Sequence, residues 1–194
     1  MSTAQFANGA SQFIYSDSRL VLRRFRESDQ SEALELLHTG LLPGHIDPID
    51  AAAELAETEQ EYRLRSQDRF WVAEANQSVI GTIAVAVDRL GIAHVRRLRV
   101  APAWQSDSRI AMSLVQLAAA YAREHECQEL IYYAPDNGVR AIEFLRHLGF
   151  RFGANRKVAG VPVLEFYNDL YSVPAAAHTE PLDMWALTQR AEAH

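Results

Sequence analysis

A few places in this 194-residue chain carry side chains capable of chemistry. His94 lies between Ala93 and Val95 in the segment IAHVRRLRV. An imidazole near its ordinary pKa of about 6.5 accepts a proton at neutral pH, as a general base must, although a strand histidine can equally hold a structural hydrogen bond. Glu74, in FWVAEA, is a second candidate base, with a solvent-facing strand carboxylate as its plainer reading. The stretch QSDSRIA, residues 105–111, opens a long helical pattern. Unpaired N–H groups and the helix dipole favour an anion at such a start; Ser106 or Ser108 can cap it and Arg109 can add a charged donor, whereas Asp107 opposes an anion there. His38, His45, Asp47 and Asp50 share one loop, but their spacing matches no specific metal pattern, so no metal is expected. The lone Cys127 excludes an internal disulfide, fits a reducing compartment, and has no activating partner that would make it a catalytic thiol.

The elements that must position these groups follow from pattern. Apolar residues make up 48% of the chain and charged residues 23%, ordinary usage for one domain with a hydrophobic core. Three spans are expected: an N-terminal arm (1–17) that is flexible, a domain (18–173), and a tail (174–194) with a helix over 182–193. Within the domain, RLVLRRF reads as a strand, with Ser28/Asp29 capping the helix that follows, and an Ala/Glu-rich helix is expected over 51–65. FWVAEA, VIGTIAVAV and IAHVRRLRV read as three strands joined by tight turns, hence an antiparallel meander. A long amphipathic helix follows over 110–125, then the strand LIYYAP, a helix over 139–148 stopped by Gly149, and a closing strand pair.

The net charge of −6 argues against a nucleic-acid or anionic-membrane partner. The local arginines (Arg23, Arg24, Arg26 and Arg96, Arg97, Arg99) read first as solvated strand faces. The longest apolar stretch, residues 79–87, falls short of the roughly 18 residues that span a bilayer, and the N-terminus does not resemble a signal peptide; the expected location is cytoplasmic. Met184 and Trp185 in the tail would cover an apolar patch within the chain or on a second copy, which makes a homodimer possible.

This order of elements, with FWVAEANQSVIGTIAV, LRVAPAW and AIEFLRHLGFRF at the matching places, resembles the GCN5-related N-acetyltransferase superfamily over residues 19–169. RLVLRRFRESD is also similar to the start of ribosomal-protein acetyltransferases. The resemblance implies an α/β (α+β) fold: a mixed sheet of six to seven strands, antiparallel except around an opening between the fourth and fifth, with about four helices. It implies acetyl-CoA as cosubstrate, its pantetheine arm lying in that opening against backbone amides of Leu98, Arg99 and Val100, and its pyrophosphate at the start of the long helix. The family's [RQ]-x-x-G-x-[GA] signature is altered here. Counted from Val100, Gln105 matches while Ser108 and Ile110 replace the small residues; counted back from the helix, Ser106 opens, Arg109 replaces the glycine and Ala111 matches. Asn137 is similar to an asparagine that contacts the cofactor in relatives.

By the same resemblance His94 stands at the position of a catalytic base. The tyrosine that protonates the departing thiolate in many relatives is replaced by Leu145, leaving water, Tyr132 or Tyr133 for that task. The loop bearing His38 and His45 would line the acceptor site. The expected activity is transfer of an acetyl group to an amine of a small molecule or peptide. The alternative is a catalytically silent module on the same fold, which the altered loop and Leu145 both favour.

Overall fold

The structure is a computed structural model and describes residues 5–7, 10–12, 20–46, 69–158 and 160–171. The expected helices over 51–65 and 182–193, and all of the tail, lie outside these residues. Within the expected N-terminal arm, β1 (Gln5–Ala7) and β2 (Ala10–Gln12) pair antiparallel as a separate two-stranded sheet.

The main sheet has seven strands: β3 (Val21–Arg24), β4 (Arg69–Ala75), β5 (Ser78–Val87), β6 (Ala93–Val100), β7 (Glu129–Ala134), β8 (Arg151–Val158) and β9 (Val161–Asp169). Their order is β3-β4-β5-β6-β7-β9-β8, and every neighbouring pair is antiparallel except β6 and β7. The three described helices are α1 (Gln30–Thr39), α2 (Ser108–Glu124) and α3 (Val139–His147), against about four expected.

β5 is buried along nearly its whole length because both faces of the sheet are covered there. On one face Ile110, Leu114, Leu117, Ala118 and Tyr121 of α2 pack in a single core with Ile83, Val85, Val95 and Val100. On the other, Ala33 and Leu36 of α1 lie over Phe70, Ala84, Val72 and Val79. The β4–β5 turn places Asn76 and Gln77 at φ 51° and 67°, the left-handed geometry that suits the right-handed twist of a two-residue hairpin.

Arg24 and Arg26 are exposed, as expected, but Arg23, Arg97 and Arg99 correct the expectation of solvated strand faces. Arg23 pairs with Asp29 at 2.6 Å and Glu74 at 2.7 Å, and Arg97 and Arg99 are 4% and 5% exposed. Asp29 does stand at the start of α1. Its carboxylate does not cap the helix, however; it accepts the Arg26 N–H at 2.8 Å and the Arg23 guanidinium, because a single 3-10 turn (Glu27–Asp29) precedes α1 and turns that side chain back.

Candidate functional site: an opening between two parallel strands

β6 and β7 meet only at Ala93↔Leu130 and His94↔Ile131, and beyond that the strands part. A bulge in β6 accompanies the divergence. Thr82 and Ala84 of β5 oppose Arg99 and Arg96, so β6 carries one extra residue, and Arg97 there adopts φ 54°. A bulge bends its strand and increases local twist. The buried Thr82 hydroxyl fastens it by donating to the Arg97 carbonyl at 2.9 Å.

Past the bulge the Val100 peptide groups turn away from β5. The Val100 N–H donates to the Gly40 carbonyl at 2.8 Å, and its carbonyl accepts the Gln105 carboxamide at 2.9 Å. The Leu98 carbonyl accepts the Arg99 guanidinium at 3.0 Å. Ala101 then turns back, donating to Ile80 at 2.8 Å. This edge therefore presents both a donor and an acceptor for an amide, and both are engaged by the chain itself.

Below the opening, QSDSRIA enters α2. Asp107 is the N-cap residue, accepting the Arg109 N–H at 3.0 Å and the Arg109 guanidinium at 2.7 Å, so the cap is neither of the flanking serines. Those two bonds hold its carboxyl below the usual range. Ser106 and Ser108 are exposed, while Ile110 and Ala111 are core residues, 2% and 3% exposed. Asn137 is exposed in the turn before α3.

His94 and Tyr133 come together at the closed apex of the opening, their rings 6.3 Å apart and 23° from parallel. Nε2 of His94 lies 3.3 Å from an Asp88 oxygen. Burial raises the Asp88 carboxyl, but the N–H groups of Ile92 and Leu90 and the His94 ring outweigh it and keep that carboxyl low. Burial also pushes the Tyr133 phenol up. His94 precedes Leu98 by four positions, about 13 Å along a strand. Glu74 is not brought to the opening: it sits on β4, two strands away, bound to Arg23.

Residues 40–46 were read only as punctuation and acceptor lining, yet they hold His45 inside the opening. Its Nδ1 shares a 2.8 Å hydrogen bond with the Tyr132 hydroxyl of β7, and its ring stands edge-on to Phe144 of α3 at 5.3 Å. Burial, with help from the Arg99 charge, pushes its pKa down to about 4. The signal available in the sequence was the pair of glycines flanking LLP, followed at once by a histidine. Leu145 is fully buried. Among the described residues no cluster of His, Cys, Asp and Glu is arranged to hold a metal, and no helix is long and apolar enough to cross a membrane.

The family model for the acetyltransferase (GNAT) family matches residues 34–150, more than half the chain, and the chain belongs to that family. Solved structures share the fold. A putative acetyltransferase, yncA, from Salmonella typhimurium with its cofactor acetyl-CoA is 18% identical, with 81% of this chain and 99% of that one covered at a TM-score of 0.63. A spermidine N-acetyltransferase from Vibrio cholerae, in complex with CoA and spermine, is 16% identical over 78% of this chain and 95% of that one, with a TM-score of 0.63. A ribosomal-protein-alanine N-acetyltransferase from Brucella melitensis is 19% identical over 77% and 99%, again at 0.63. No curated protein matches the chain by sequence.

Proposed function

We propose that the chain is an acyl-CoA-dependent N-acyltransferase, with acetyl-CoA as donor and an amine of a small molecule or peptide as acceptor. The observation that carries this reading is the Val100 edge. Its N–H takes a carbonyl and its C=O takes a carboxamide N–H, the pair of groups that each amide of a pantetheine arm offers to a strand edge. The start of α2 fits the other end of the cosubstrate less well: Asp107 occupies the cap and brings negative charge to where phosphates would sit, with Arg109 as the counter-charge.

In this reading the acceptor nitrogen attacks the thioester carbonyl carbon, the C–S bond breaks, and the thiolate leaves with a proton from water or a tyrosine hydroxyl. The ammonium proton reaches His94 through a chain of water molecules, because the ring stands about 13 Å from Leu98; Asp88 orients that ring and Tyr133 lies beside it. Amides near Leu98 polarise the thioester oxygen. Residues 18–173 form the acyltransferase domain, and the setting is cytoplasmic.

A second reading, a silent module on the same fold, is favoured by the Asp107 cap and by the Gly40 carbonyl already on Val100. Calorimetric titration with acetyl-CoA and with CoA, followed by a thiol-release assay over a panel of amines, separates the two. The proposal expects micromolar to sub-millimolar binding and turnover that His94→Ala lowers about 100-fold. Absence of binding at millimolar cosubstrate establishes the silent module instead.

A further inference from the structure

Residues 40–46 leave the end of α1, cross the opening and reach α3, fastened on both sides. At β6 the Gly40 carbonyl holds the Val100 N–H at 2.8 Å, and the Gln105 carboxamide bridges the Leu41 carbonyl at 3.2 Å and the Val100 carbonyl at 2.9 Å. At β7 and α3, His45 bonds the Tyr132 hydroxyl and packs on Phe144. Between the two, Leu42 is part of the main core. Glycines permit the close approach at each end. A Cβ on Gly40 would lie 2.8 Å from the Leu36 carbonyl and 3.1 Å from both the Arg99 Cβ and the Val100 carbonyl. A Cβ on Gly138, the N-cap of α3, would lie 2.5 Å from the Gly44 carbonyl.

We infer that residues 40–46 are a strap that closes the opening by placing the Gly40 carbonyl on the Val100 N–H, with the Gln105 carboxamide tying Leu41 to the Val100 carbonyl, and that acyl-CoA enters only when the strap swings out. The inference rests on the acyltransferase reading, whose cosubstrate would use the same donor and acceptor. A segment and a ligand competing for one edge make apparent affinity scale with the fraction of molecules whose strap is open. Each tether removed therefore tightens cosubstrate binding, by about five-fold for one ordinary hydrogen bond.

Tyr132→Phe removes the hydroxyl held by His45 and keeps the ring. Gly138→Ala puts a methyl against both the Gly44 carbonyl of the strap and the Pro135 ring, and serves as an independent variant. The experiment pairs calorimetric titration of the full chain with acetyl-CoA and native-state hydrogen exchange at the Val100 and His45 amides, the latter bonded to the Leu42 carbonyl at 3.0 Å. The strap predicts about five-fold faster exchange at both amides in Tyr132→Phe, with acetyl-CoA binding about five-fold tighter. In the unsubstituted protein, saturating acetyl-CoA should speed exchange at His45 while Val100 stays protected by its new partner. Equal affinity in all three proteins, with His45 unchanged by bound acetyl-CoA, overturns the strap and leaves the acyltransferase reading intact. No binding by any of the three, with both amides protected, removes the acyltransferase reading and the gating role together.

Discussion

Acidification from pH 7.5 to 5 should cost this protein stability through His45. Its folded pKa of about 4 lies below the ordinary 6.5, burial being the larger cause and the Arg99 charge the smaller. The titratable and charged groups set against it are the Tyr132 phenol and the Arg99 guanidinium. Because the folded value is depressed, the unfolded chain binds more protons between the two values, so stability falls as pH falls. The contribution is whole above about 6.5 and gone near 4. At one pKa unit per 1.36 kcal/mol, its loss reaches about 2 kcal/mol at pH 5 and roughly 3 kcal/mol at pH 4. Asp29, Asp88 and Asp107 are all held below the usual carboxylate range, so their contributions fade below that window. Urea unfolding of the native sequence and of His45→Asn, which puts an amide near the Nδ1 position and cannot titrate, isolates the effect. The stability difference between them should shrink by about 2 kcal/mol from pH 7.5 to 5. Parallel losses in the two proteins would refute a half-buried neutral His45, and with it the picture of the opening as packed by residues 40–46.

Two other substitutions probe the frame around the opening. Asp107→Ala removes the cap of α2 at a cost of about 1 kcal/mol, yet it should tighten acetyl-CoA binding by clearing a negative charge from the helix start; weaker binding in calorimetry would mean that Asp107 serves chiefly to aim Arg109. Arg23→Met leaves Asp29, 4% exposed, without its guanidinium partner and should cost about 3 to 5 kcal/mol in urea unfolding; a loss under about 1 kcal/mol would show that Asp29 finds solvent or another partner.

How much of this was legible beforehand follows from which signals are local. The β4–β5–β6 meander and the stripe of α2 were readable because strand and helix periods place apolar residues on one side within a short window, and the Asn76–Gln77 turn lies between them. Arginine placement was not. Arg23 and Arg99 each depend on a partner 51 or 62 positions away, Glu74 and the Leu37 carbonyl, which no window contains, even though Arg23 also reaches Asp29 six positions on. The α2 cap was misassigned because three successive residues, Ser106, Asp107 and Ser108, can all cap, and the choice depends on the backbone of Asp107 being extended while Ser108 is already helical. The bulge at Arg97 carries no glycine or asparagine to announce its positive φ; it is set by Thr82 on the neighbouring strand. The strap is hardest of all to see, because its principal bonds use the carbonyls of Gly40 and Leu41, and a backbone carbonyl is the same in every residue. In this fold the donor edge recognises amides irrespective of their source, so a few residues after α1 can change what reaches Val100 without altering any side chain on β6. On the acyltransferase reading, the position of residues 40–46 is accordingly expected to govern cosubstrate binding more than the number of glycines left in QSDSRIA.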